Sequence, residues 1–180
     1  MKRLVLKIET VPIAKEELTA EESDEAALDG LSGRVVCVGY IVLDEFAATN
    51  TGACVALDEK EVLDFFWSLV SRESVKGFVG RDGVGLDLSL LWKRSEVNQV
   101  RPTLRMDALT NFVGVDAGSA GEADVLGWWC EGKQREIASF CLEDCWATYE
   151  CYCRMNSVKA TKRFMVEETL WVDLGVRRGS

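Results

Sequence analysis

"LVLKIETVP", residues 4–12, alternates as a β-strand does. Leu4, Leu6 and Ile8 fall on one side and Val5, Lys7 and Glu9 on the other. A lysine and a glutamate within this strand need partners, because burying an unpaired charge is costly.

Outward from this strand, "RVVCVGYIVLD" (34–44) is rich in β-branched residues and predicts a long second strand. "FAATNTGACVAL" (46–57) predicts a third. Asp58, with Glu61 three residues on, marks a helix start before "EKEVLDFFWSLVSR". "VKGFVG" (75–80) reads as a short buried strand and "GLDLSLLWKRSEV" as a helix. Residues 100–121 read as irregular, with "VGVDAGSAG" as a loop. "EADVLGWWCEG" predicts a short helix and "KQREIASFCLEDCWATYECYCRM" (133–155) a long one. "RFMVEETLWVDLGV" predicts a terminal strand or a docking segment. This order predicts a layered α/β domain with a mixed sheet. "GRDGVG" lacks the lysine–Ser/Thr end of a phosphate loop and the spacing of a dinucleotide fingerprint.

The chain has 180 residues, 48% hydrophobic and 28% charged, which suits one domain with a real core. Its net charge is −9, much of it in "KEELTAEESDEAALDG" (15–30). That balance disfavours a broad non-specific grip on a phosphate backbone but leaves room for a nuclease, whose metals supply local positive charge. No apolar run is long enough to span a bilayer, and the N-terminus lacks a secretory layout, so the cytoplasm is the expected location. Seven cysteines without an export signal are expected as reduced, packed thiols. Zinc is the alternative, but there is no histidine and the C-terminal spacing is C-x3-C-x5-C-x-C.

In the long helix, Ile137, Phe140, Cys141, Asp144, Cys145, Thr148, Tyr149 and Tyr152 form one stripe. Asp144 either reaches solvent at the stripe's edge or meets a cation, a donor or a metal. Asp87 stands where a helix dipole favours a carboxylate. With Glu9 it completes a set of three acids able to converge on a divalent-cation site.

"KIETVP", "GFVGRDGVGLDLSLL" and "FCLEDCWATYECY" resemble, in order, the three motifs of the DEDD (DnaQ-like) 3′–5′ exonucleases. The resemblance runs over residues 4–155 and points to the small proteins related to the proofreading domain of family-B DNA polymerases. It implies an RNase H-like α/β fold, a mixed five-stranded sheet flanked by helices. Residues 1–156 are expected to form this domain, and 157–180 a C-terminal extension. The resemblance assigns Glu9, Asp87 and Asp144 as catalytic and metal-binding acids, with Mg²⁺ or Mn²⁺ as cofactor in an active enzyme. Two positions depart from the pattern. Lys7 replaces an aspartate, and Phe140 replaces a tyrosine whose hydroxyl orients the attacking water. In the second motif Asp82 stands for an asparagine and Leu86 for a phenylalanine.

These departures predict a catalytically impaired domain that serves as a binding or structural subunit. Lys7 would offset the mutual repulsion of the three acids without metal, or snorkel outward and pair with Glu9 only. The alternative is an active exonuclease in which Asp82 or Asp107 replaces the lost acid. The expected partners are a protein at the C-terminal extension and single-stranded nucleic acid, with no membrane. Trp128 and Trp129 offer a stacking face, and Lys159, Lys162, Arg163, Arg177 and Arg178 a modest basic group.

Overall fold

The computed structural model describes residues 1–13, 32–81, 84–104, 112–116, 124–164 and 170–172. Strands β1 (Lys2–Pro12), β2 (Gly33–Asp44) and β3 (Ala47–Val55) lead into helix α1 (Glu59–Arg72). Strand β4 (Gly77–Arg81), helix α2 (Val84–Val97) and strand β5 (Phe112–Val115) follow. Helices α3 (Val125–Cys130) and α4 (Gln134–Met155) and strand β6 (Leu170–Val172) complete the order.

The sheet runs β5-β4-β1-β2-β3-β6. β1, β2 and β3 pair antiparallel, while β4 joins β1, β5 joins β4 and β6 joins β3 in parallel. This is the expected RNase H-like α/β architecture, a mixed sheet flanked by helices, with five strands in β1–β5. The sixth comes from the C-terminal extension, where Leu170–Val172 pairs with Ala53–Val55. Ahead of it, the Tyr149 hydroxyl donates to the Phe46 carbonyl at 2.7 Å and accepts from Thr161 N at 2.9 Å. Phe164 packs edge-on against Trp146, with ring centroids 5.6 Å apart. The described part of the extension therefore lies on the domain's own sheet and on α4.

One expectation needs correction. The stretch 100–121 holds β5, where an irregular segment was expected. β5 is only four residues long, too short to show strand alternation, and its Gly114 runs on into a glycine-rich stretch.

Alternation along β1 divides the core as its sequence implies. Leu4, Leu6 and Ile8 pack with Val62, Leu63, Phe66 and Leu91 under α1 and α2. Val5 packs with Ile137, Cys141, Cys145 and Tyr149 of α4. The first layer is locked by a buried acid. Glu59 Oε1 accepts from Val35 N at 2.7 Å and from Arg94 Nε at 2.8 Å, and its Oε2 accepts from Asn98 Nδ2 at 2.8 Å. One carboxylate thus ties α1, α2 and β2 together, with its lone pairs satisfied. Beside it β2 carries a bulge: Glu9 pairs with Cys37, but Thr10 pairs with Val35, leaving Val36 as the extra residue.

The second layer depends on close backbone approach. Gly39 is the cross-strand partner of Lys7. A Cβ there would stand 2.9 Å from the Cys141 carbonyl oxygen and 3.0 Å from the Cys141 Sγ. Cys141 Sγ in turn donates to the Lys7 carbonyl at 3.3 Å. Gly39→Ala must push α4 off the sheet and is expected to cost about 1–3 kcal/mol. Urea unfolding checks this, and an unchanged midpoint would contradict the close-packing account.

Candidate functional site

The same approach sets the site. α4 passes over β1 and β2 at Cys141, and Asp144 lies almost one turn further along the same face. Asp144 is 1% exposed, at the edge of the core formed by Cys141, Cys145 and Val5. Of its two expected situations, the structure shows the buried one. Lys7 and Glu9 extend from β1 on the α4 side. Lys7 Nζ lies 3.5 Å from Glu9 Oε1 and 3.9 Å from Asp144 Oδ2. Asp87, in the first turn of α2, is within electrostatic reach of both Lys7 and Glu9. The Lys7 ammonium thus stands between Glu9 and Asp144, with Asp87 within its electrostatic reach.

Arg81, the last residue of β4, is the functional candidate that sequence reasoning missed. Its Nη2 donates to Asp144 Oδ1. Strand alternation carries the signal for it, since Val79 two residues earlier packs in the α4 layer.

The electrostatics follow from burial and from these neighbours. Burial opposes the Lys7 ammonium, but Glu9 foremost, with Asp87 and Asp144, outweighs it and raises Lys7. Burial raises Glu9, and Lys7 offsets only part of that rise. Burial pushes Asp87 up to about 6, against the pull of Lys7.

A pair of magnesium ions does not fit this donor set. Each ion demands near-octahedral oxygen coordination. Here one Asp144 oxygen is held by a guanidinium and the other faces an ammonium. Among the described residues no group of three or more His, Cys, Asp and Glu side chains is arranged to hold a metal ion. The seven cysteines are free thiols, five of them buried.

The aromatic flank is partly spoken for. Phe140 meets Trp128 edge-to-face, with centroids 6.0 Å apart. The Arg34 guanidinium covers the Trp129 ring at 4.8 Å. Both tryptophans are half-buried. Arg163 pairs with Glu150 at 2.7 Å. Asp82, Asp107, Arg177 and Arg178 lie outside the described residues. Among the described residues no helix is long and apolar enough to cross a membrane.

No protein-family model matches the chain, and no curated protein matches it in sequence. Among solved structures it is similar to the family B DNA polymerase of the hyperthermophilic archaeon Pyrobaculum calidifontis, with a TM-score of 0.60 and 16% identity. The match covers 86% of this chain and 24% of the polymerase. The chain thus spans about a quarter of that polymerase, and the likeness is one of fold.

Asp87 gives the site a pH signature. Its carboxyl holds a proton more tightly folded than unfolded, so its contribution to stability falls as pH rises from the ordinary 3.8 through about 6. Asp87→Asn is expected to remove that slope and to stabilise the domain above pH 6 by about 1–2 kcal/mol. Urea unfolding at a series of pH values from 4 to 7 tests this, and parallel curves for the two proteins would contradict it.

Proposed function

We propose that the chain is a degenerate 3′–5′ exonuclease-like domain of DnaQ-like ancestry, impaired in hydrolysis, that serves as a binding or structural subunit of a nucleic-acid-related assembly. The observation that carries this reading is the Lys7 ammonium, 3.5 Å from Glu9 and 3.9 Å from Asp144. It stands where the resembling family has a metal-binding aspartate. The change takes away an oxygen ligand and adds a positive charge that repels any incoming divalent ion.

Phe140 supports the same reading. Its ring has no hydroxyl to orient a water, and it packs against Trp128. The fold likeness to a DNA polymerase supports a nucleic-acid setting for this reading. A cytoplasmic location belongs to this proposal, as does a protein partner at the C-terminal extension. Such a partner would meet the extension with Leu170–Val172 already paired to β3.

The placing of Glu9, Asp87 and Asp144 around Lys7 favours a second reading, an active exonuclease loaded with Mg²⁺ or Mn²⁺. In that reading a further acid, Asp82 or Asp107, must replace the lost ligand. Labelled single-stranded DNA and RNA, incubated with Mn²⁺ and either the wild type or Asp144→Ala, separate the two. Impaired hydrolysis predicts no difference between the proteins in shortening of either strand. Processive 3′-end degradation that Asp144→Ala abolishes would establish the second reading.

A further inference from the structure

Val5 of β1 and Val79 of β4 are register partners in a parallel pair. Lys7 and Arg81 each lie two residues further along, so strand alternation carries both to the α4 face, where both reach Asp144. Both side chains keep partial access to solvent, 29% for Lys7 and 28% for Arg81. Asp144, at 1%, has almost none. A carboxylate this deep needs a cation, because an uncompensated buried charge is strongly destabilising. Arg81 Nη2 takes one of its oxygens, and Lys7 Nζ faces the other while also facing Glu9. The two cations come from adjacent strands, and the acid comes from the helix that covers them.

We infer that Lys7 and Arg81 together are a built-in substitute for divalent cations, which makes the acid cluster and the fold around it independent of metal. Arg81 is the member that closes Asp144, and Lys7 bridges Asp144 to Glu9. The charge balance supports this assignment. Three ionised carboxylates and two side-chain cations leave about one net negative charge, whereas two added divalent ions would leave about three positive ones. The inference goes beyond the proposed function, since it concerns charge compensation in the folded chain whether or not nucleic acid binds.

Calorimetric melting in EDTA and in millimolar MnCl₂ tests it on the full chain. The wild type is expected to melt at the same temperature in both. Arg81→Gln is expected to lower the melting temperature in EDTA by about 5–10 °C, with Mn²⁺ restoring part of the loss. The double variant Arg81→Gln/Asp144→Asn, which removes the stranded charge along with its cation, is expected to recover most of the loss in EDTA. Should Arg81→Gln fail to fold, the wild-type comparison and the double variant still decide the matter. Three results would each overturn the inference: a saturable Mn²⁺-dependent rise in the wild-type melting temperature, Arg81→Gln melting like the wild type in EDTA, or no recovery in the double variant.

Discussion

The structure depends on one close approach. α4 comes down on the β1–β2 pair where Gly39 lies opposite Lys7, with the Cys141 backbone close enough to exclude a Cβ. Cys141 Sγ fastens the contact to the Lys7 carbonyl. Everything at the site is reckoned from that point. It sets how deep the helix lies, and so how deep Asp144 lies. It also sets which strand residues can reach Asp144, namely those projecting from β1 and β4 on the same face. On the opposite face the Glu59 carboxylate ties α2 to α1 and β2, and α2 carries Asp87. The site therefore sits between two independently fastened layers.

That geometry creates an electrostatic problem that the chain solves from its own side chains. Glu9 of β1 and Asp144 of α4 face one ammonium, Asp87 of α2 lies within its electrostatic reach, and burial disfavours the charged forms of Glu9 and Asp87. Asp87 and Glu9 respond by holding their protons more tightly. Asp144 is deeper and instead receives a guanidinium and an ammonium. Buried acids are a liability unless something offsets their charge. Lys7 and Arg81 make burial of Asp144 beside Glu9 compatible with a stable fold.

Much of the fold was legible because its periodicities are clean. The two faces of β1 separated as their alternation implied, and the apolar stripe of α4 put Asp144 either at its edge or inward, of which the inward position is the one observed. α1 begins and ends where its cap and apolar spacing indicate, with Asp58 accepting from Lys60 N. Helix and strand positions alone offered Glu9, Asp87 and Asp144 as acids able to meet, and the resemblance singled them out, because no local pattern reports contacts between residues so far apart in the chain. β5 escaped because four residues are too few to show an alternation, and they run into a glycine-rich stretch. Arg81 escaped for a different reason. Alternation puts it on the same face as Val79, but nothing local shows that this face meets Asp144, 63 residues further along the chain.

The central claim is that protein cations occupy the place of metal among the three acids. The most direct measurement is a crystal structure from Mn²⁺-soaked crystals, with anomalous difference density computed around Glu9, Asp87 and Asp144. The account predicts no manganese peak there, and ordered density for the Lys7 ammonium and the Arg81 guanidinium against Asp144. Manganese bound by those carboxylates, with Lys7 and Arg81 turned away, would contradict it.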